Sequence, residues 1–459
     1  MSDQVMNGRV QTVEQVTKVV TSGPDPWIVV RNARKVDARG IEQDFWVIAH
    51  DGVIAATGCG DEALASVYCV FGIEDGAAGM PSGRKGLAEG EGHDKGDERA
   101  GIAMSTLRAS DGAPVEVVDA AGRNLTPGYV DIHAHGAWGM SFDDGVEGIG
   151  TARAGHMMHG TTRQVLSLIT NPMDVICDNL KTVRSQMDRR PDVLGAHLEG
   201  PFLALSRKGA HDPNCLKDPT DDSVDQLLEA GDGSIRQITI APELPHGVSA
   251  IRRFAAAGVV PAVGHCDADY ETARRGFESG AGIMTHMFNA MNGLHHREPG
   301  PIPAAVEDPR VTIELINDGF HVQNPVLKMA LNFAPHRIAF VTDAMSATDC
   351  PDGPYKLGAL DVTVKDGHAR LVSNGAIAGS TLLLEKAVQR AITVLGISPA
   401  DAVEAATLTP AHAFGFDRSN PVTGAPIGLL SPGYAADLLL SDPETWRVER
   451  VWCAGRIVR

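Results

Sequence analysis

The sequence predicts an α/β protein: a TIM-type (β/α)8 barrel with a small β-sandwich domain formed from both chain ends. Three observations carry that expectation. Eight apolar runs of strand length follow one another between residues 126 and 409, most of them separated by segments of helical spacing such as VSAIRRFAAAG and DYETARRGFESG. Nearly every run ends on a polar residue that can ligate or exchange protons, as the carboxyl-terminal face of such a barrel requires. Strand-like segments before and after this region have no partner within it.

Taken in order, residues 1 to about 25 are polar. WIVVRNARKVDARG, from Trp27, and DFWVIAHDGVIAATG, from Asp44, read as short strands joined by glycine and asparagine turns. From 76 to 113 the chain turns rich in glycine and charge and poor in large apolar side chains, so it cannot repay the entropy of ordering and reads as a flexible insertion. VEVVDAAGRNLTPG resumes the strand pattern. The eight barrel strands are then NLTPGYVDIHAHG, TTRQVLSLIT, VLGAHLEG, IRQITIAPE, VVPAVGH, GIMTHMFN, VTIELINDG and IAFVTDA. IAGSTLLLEKAVQRAITVLG reads as a loop and an amphipathic helix, and Ser398-Pro399-Ala400-Asp401 opens another helix with a capping-box pattern and proline in the first turn. The closing segments GLLSPGYAADLLLSD and RVERVWCAGRIVR read as strands whose natural partner is the amino-terminal β unit. Residues 1–125 and 410–459 thus form the small domain, and 126–409 the barrel.

Composition narrows the function. In 459 residues the formal charge of −18 is spread along the chain, which argues against a nucleic-acid or anionic-membrane partner. Aromatic residues make up only 5%, too few for a base-stacking platform. A phosphorylated small molecule is compatible, since it needs only a local basic pocket. Seven scattered cysteines without a CxxC point to reduced thiols and a cytoplasmic setting. The start lacks a signal-peptide pattern, and no apolar run approaches the ~20 residues of a membrane span.

The strand tips carry the chemistry. In VDIHAHG, residues two apart on a strand share a face, so His133 and His135 project together with Asp131. Alone, this pattern is either a metal-binding pair or two hydrogen-bonded histidines closing a strand. Further tips are Glu199, Glu243, His265, His286 with Asn289, Asp318 and Asp343. Glu199, His265 and His286 supply nitrogen and oxygen ligands from three rigid strands, the set that a hydrolytic zinc-type site needs, and His133 and His135 either join it or hold a second ion. Asp343 is a carboxylate placed to take a proton from the attacking water and pass it to a leaving group. Cys266 faces away from its neighbour His265 and reads as buried filler. His197 shares a face with Glu199 and reads as a packed barrel residue.

VDIHAHG, the later histidines, VTDA and the closing PGYAADLLL resemble the amidohydrolase superfamily. Within it, HLEGPFL, KGAH, APE, VGHCDA, THMFNAM, REPG, DGFHV and AGST resemble the N-acetylglucosamine-6-phosphate deacetylases, in nearly the same order from about Trp27 to the last residues. HLEGPF followed by THMFNAM and REPG is the specific part. The resemblance implies removal of an acetyl group from the 2-amino position of a phosphosugar. It assigns the principal metal to Glu199, His265 and His286, and the general base and acid to Asp343. It places Ala210, His211, Asn289, Ala290, Arg297 and His321 on the sugar phosphate, and Ile377, Ala378 and Gly379 in a substrate-binding loop. It also implies a homodimer in which Arg297 reaches the neighbouring pocket. Members of this family vary at the HxH, so two ions are compatible with His133 and His135. Zinc suits the ligand mix first, with iron, cobalt or manganese also suitable.

Read from chemistry alone, Arg297 is either a paired guanidinium grip on phosphate or a surface ion pair with an acid such as Glu298. His211 is either a residue closing over substrate or a solvated loop histidine. Two other functions use the same residues: another amidohydrolase acting on an N-acyl amino compound or cyclic amide, and a catalytically inactive sugar-phosphate-binding homologue.

Overall fold

The computed structural model describes residues 3–22, 27–74, 102–110 and 112–459. Its centre is an eight-stranded parallel sheet in strict chain order: Tyr129–Asp131, Thr161–Ile169, Val193–Glu199, Ile235–Ile240, Val260–Val263, Ile283–Met284, Thr312–Ile316 and Ile338–Val341. Each falls within one of the eight predicted runs. Every residue of the second, third, seventh and eighth strands is buried, because helices cover the outside while side chains fill the inside.

The barrel is nearly closed, and its seam lies between the first and eighth strands. At the lower end the turn Ala405–Ala406 sits between them, its carbonyls accepting from Phe340 N–H at 2.7 Å and Val130 N–H at 2.9 Å. At the upper end they meet directly, with Asp343 N–H donating to His133 C=O at 2.8 Å and His135 N–H to Ala344 C=O at 2.7 Å. This upper seam sets the expected general base beside the HxH pair. Asp131, expected to share the histidines' face, instead turns into the seam, where its carboxylate accepts from Thr342 Oγ1 at 2.6 Å. Burial pushes its pKa up to about 6.

Strands from both chain ends join one ten-stranded mixed sheet, in which Leu438–Ser441 pairs antiparallel with Asn124–Pro127 and through it reaches Trp27–Asp37. Ile28, Val47, Leu438 and Trp452, from both ends, share one apolar core.

Four features depart from expectation. Of the proposed insertion 76–113, residues 76–101 and 111 lie outside the described residues, but Ala103–Ala109 is a strand, paired antiparallel with Pro114–Asp119. Backbone pairing to a neighbour supplies what its mostly exposed side chains do not. The polar start holds a helix, Asp3–Thr21, in which Val13, Val16, Val19 and Val20 pack toward the main core. The helix Leu408–His412 straddles the expected boundary at 410 and packs on the first and eighth barrel strands. A three-stranded antiparallel sheet, Gly353–Leu357, Leu360–Lys365 and His368–Leu371, follows the eighth barrel strand and packs beside the barrel mouth, with Leu357 and Ala378 meeting Ala210 and Ile169 in one apolar cluster.

Candidate active site

Glu199 ends the third strand, while His265, His286 and Asp343 lie just past the fifth, sixth and eighth. These last three hold left-handed backbone, at φ 45°, 22° and 50°. Such a conformation costs a non-glycine residue on the order of 1–3 kcal/mol and clusters at functional sites. Here it turns the chain sharply off each strand and aims the side chain into the mouth.

The side chains converge on Glu199. Its Oε1 lies 3.0 Å from His265 Nε2, 3.2 Å from His286 Nε2 and 3.3 Å from His133 Nε2. Its Oε2 lies 3.1 Å from His135 Nε2 and 3.3 Å from His211 Nε2. Asp343 Oδ1 stands 3.4 Å from His135 Nε2 and 3.7 Å from His133 Nε2. Burial alone would raise the pKa of Glu199, but the charges of His133 and His265, with His135 close by, hold it well below the usual carboxylate range. Burial also works against ionised Asp343, and His135 with His133 lowers its pKa instead. The converse appears on the imidazoles: against the effect of burial, Asp343 and Glu199 push His135 up to about 9, and Glu314 and Glu199 push His133 well above its ordinary value. Burial keeps His211 neutral, its pKa pushed down to about 4.

These residues fit a divalent cation. Two overlapping groups, His133, His135, Glu199 and Asp343 on one side and Glu199, His211 and His265 on the other, each gather their donor atoms within 4.8 Å. His265 Nε2 and His286 Nε2 stand 3.0 Å apart; donors held about 2.1 Å from a common ion lie roughly 3.0–3.4 Å apart. His265 Nδ1–H donates to the carbonyl of Arg207 at 2.9 Å, which leaves its Nε2 lone pair facing inward. His133 Nε2 is buried without a hydrogen bond. Among the described residues no Lys or Arg forms an ion pair with Glu199 or Asp343, so imidazoles alone face these buried carboxylates.

A cavity of about 330 Å³ opens above the cluster. Of the residues expected to touch substrate, Ala210, His211, Asn289, Ala290, His321, Ile377 and Gly379 line it, together with His135, Glu199, His265, His286 and Asp343. Ala378 is buried beside it, and His133 lies beneath the floor. Arg297 is exposed and lines a separate depression with Asn292 and Glu298. Asp318 does not reach the cluster; it accepts from His321 Nδ1–H at 2.6 Å and so fixes that ring. Glu243 accepts from the Asp267 N–H instead of facing the cavity. His197 is held between Ser167 Oγ at 2.8 Å and Thr239 Oγ1 at 2.9 Å, a packed barrel residue. Cys266 is fully buried.

Sequence reasoning missed Glu314, whose Oε2 accepts from His133 Nδ1–H at 2.9 Å. The available signal was a lone carboxylate at an inward position of the apolar run VTIELI. Ser206 and Arg207 also line the cavity, from the short 3-10 helix Leu205–Arg207, whose sequence gives no such signal.

The Amidohydrolase family model matches residues 124–458. N-acetylgalactosamine-6-phosphate deacetylase of Escherichia coli O157:H7 is 33% identical over 365 residues, covering 79% of this chain and 94% of that protein. N-acetylglucosamine-6-phosphate deacetylase of Vibrio furnissii is 32% identical over 355 residues, 76% of this chain and 86% of that one. Among solved structures, N-acetyl-D-glucosamine-6-phosphate deacetylase from Mycobacterium smegmatis, in complex with N-acetyl-D-glucosamine-6-phosphate, is 30% identical with a TM-score of 0.77, covering 95% of this chain and 100% of that chain.

Proposed function

The chain belongs to the amidohydrolase family, and from that premise we propose that it removes the acetyl group of N-acetylglucosamine 6-phosphate, releasing glucosamine 6-phosphate and acetate. The observation that carries the reading is the gathering of Glu199, His265, His286, His133 and His135 beneath one cavity, with the Asp343 carboxylate at its floor. The names of the relatives direct it to a phosphorylated amino sugar.

Glu199, His265 and His286 hold the principal divalent cation, zinc in the first instance, with iron, cobalt or manganese suited to the same ligands. His133 and His135 would either join these ligands or hold a second ion. When bound, the cation polarises the amide carbonyl and acidifies the attacking water. Asp343, ionised because His135 and His133 oppose its burial, takes a proton from that water as the C–O bond forms. It returns the proton to the sugar nitrogen as the C–N bond breaks, so the products are acetate and a free amine. His211, neutral and within reach of Glu199, closes one side of the pocket. Ala210, Ile377, Ala378 and Gly379 shape the sugar's wall. Asn289, Ala290 and His321 receive the phosphate, and Arg297, exposed and outside this cavity, completes the grip from the second subunit of a homodimer. All seven cysteines are unpaired, which agrees with a reducing cytoplasm.

A second reading has its own support. One relative acts on the galacto epimer, so the axial 4-hydroxyl is a competing specificity. The test is acetate release from the gluco and galacto N-acetylated 6-phosphates and from unphosphorylated N-acetylglucosamine. A clear preference for the gluco phosphosugar is expected. A preference for the galacto epimer installs the second reading, and equal rates with and without phosphate remove phosphate recognition.

A further inference from the structure

We infer that Glu314 is a positioning residue for the cation-binding group: it holds His133 in the tautomer that can ligate and braces the turn that carries His286. The inference rests on reading the cluster as a metal centre.

Glu314 sits at the middle of the seventh strand, fully buried. Its Oε2 accepts two hydrogen bonds, from His133 Nδ1–H at 2.9 Å and from the backbone N–H of His286 at 3.1 Å. Its Oε1 accepts from Gln237 Nε2 at 2.7 Å, and its carbonyl from Met287 N–H at 2.9 Å. One side chain therefore ties the first, fourth and sixth strands together under the mouth. Among the described residues no guanidinium or ammonium stands against it, and a buried carboxylate without a cation is expensive unless its charge is used. The use is in the direction of its contacts. With Nδ1–H engaged by Glu314, the nitrogen that His133 turns toward Glu199, 3.3 Å away, is Nε2, and it is the proton on that nitrogen that a bound cation would displace; the opposite tautomer would keep a proton in the ligand position.

Gln237 makes the inference separable from simple packing. Its Oε1 is buried without a hydrogen-bond partner, so its amide can present either end to position 314. Glu314→Gln keeps an acceptor toward His133 and offers an N–H₂ to a rotated Gln237, which preserves the tautomer while removing the charge. Glu314→Leu removes every acceptor. Combining Glu314→Gln with Gln237→Glu restores a charged acceptor at the far end of the same hydrogen-bond chain.

The experiment loads metal-free protein with Zn²⁺ or Co²⁺ against a competing chelator, without substrate, and records the visible spectrum of the Co²⁺ form; circular dichroism and thermal midpoint verify folding. Glu314→Leu is expected to lose roughly 10–100-fold in affinity, and the double exchange to recover to within about threefold of wild type, with Glu314→Gln between them. Wild-type affinity and spectrum in folded Glu314→Leu overturn the role of Glu314, as does a double exchange no better than Leu. If the leucine variant does not fold, the comparison of Glu314→Gln with the double exchange decides in the same way. A wild-type chain that takes up neither cation overturns the metal-centre reading itself, an outcome distinct from failure of Glu314 alone.

Discussion

At the amino-terminal ends of the barrel strands, buried carboxylates meet guanidinium groups. Asp437 accepts two hydrogen bonds from Arg163, at 2.6 and 2.8 Å, and Asp192 is shared by Arg153 and Arg190 at 3.0–3.1 Å. The remaining donors of Arg163 and Arg153 reach the carbonyls of Pro191, Thr161 and Thr162 and the amide of Gln164. Toward the carboxyl-terminal ends, the buried Glu199 and Asp343, and Glu314 beneath them in mid-strand, face imidazoles, and His133 Nε2 and the Nδ1 atoms of His135, His211 and His286 are buried without hydrogen-bond partners. Compensated buried charge holds the barrel to the small sheet, since Asp437 immediately precedes its strand Leu438–Ser441. Charge balanced only by titratable imidazoles, which a cation can replace, marks where a ligand would complete the structure. The two ends should therefore fail in different ways when altered.

The largest effect is expected at the incomplete end. Asp343→Asn removes the proposed proton carrier while keeping its shape, so turnover should fall about 10²–10⁴-fold. Metal content, measured by elemental analysis, should stay at the wild-type level. Loss of the metal with the activity would make Asp343 primarily a ligand and blur the contrast between chemistry and holding.

At the compensated end the loss should appear in stability alone. Arg163→Ala strands the Asp437 carboxylate in the interior and should cost about 3–5 kcal/mol in chemical denaturation, whereas Arg163→Met with Asp437→Leu should cost less because neither charge remains. Turnover of the folded fraction should be unaltered in both. A large fall in kcat for Arg163→Met with Asp437→Leu would mean that the two ends are coupled.

What the sequence made legible follows the same division. The barrel strands were readable because parallel strands buried on both faces are near-continuous apolar runs, and the polar tips stand out against them. TTRQVLSLI is wholly buried and VLGAHLE ends in Glu199. Of the seven cavity-lining residues expected to touch substrate, only Asn289 had a local signal, as a strand tip; the other assignments came from family resemblance, since KGAH alone reads as loop. Glu314 stayed hidden because a carboxylate inside an apolar strand betrays its partner only when the strands are set side by side. The amino-terminal helix was missed because its apolar positions, Val13, Val16, Val19 and Val20, are sparse among polar residues and acquire their value by packing on the rest of the chain. The strand Ala103–Ala109 was missed because it is stabilised by pairing to the backbone of Pro114–Asp119, which composition does not report.

Between the two ends lies a link that titrates. His159 Nδ1–H donates to Glu385 Oε2 at 2.8 Å, and its Nε2 stands 3.5 Å from Asp349 Oδ2, in the loop that follows Asp343. Glu385 in turn accepts from Val448 N–H of the tail sheet at 2.8 Å. Burial lowers the His159 pKa, but Asp349 and Glu385 outweigh it and push the value up to about 9. The folded value thus exceeds the unfolded one, near 6.5. The contribution is complete below about pH 6.5 and is lost as pH rises through about 9, in total on the order of 2–3 kcal/mol. His159→Gln should flatten that part of the stability profile between pH 7 and 10. An unchanged slope would mean that the link carries no charge.

The smallest expected effect tests whether the proposed phosphate side of the mouth depends on backbone geometry as the proposed metal side depends on charge. Gly319 lies in the turn that carries His321, at φ 79°, and a Cβ there would stand 2.1 Å from Arg390 Nη2. Arg390 is not free to swing, because the same nitrogen donates to Asn324 Oδ1 at 3.0 Å. Gly319→Ala therefore combines left-handed strain with displacement of the guanidinium, about 1–2 kcal/mol of stability. His321 is tied to this turn through Asp318, so the KM for the phosphosugar should rise a few fold (roughly 2–5) with kcat nearly constant, the pattern of lost ground-state binding. The unphosphorylated sugar should show no such rise. An equal rise for both sugars would move His321 off the phosphate, leaving the turn as a support for the mouth as a whole.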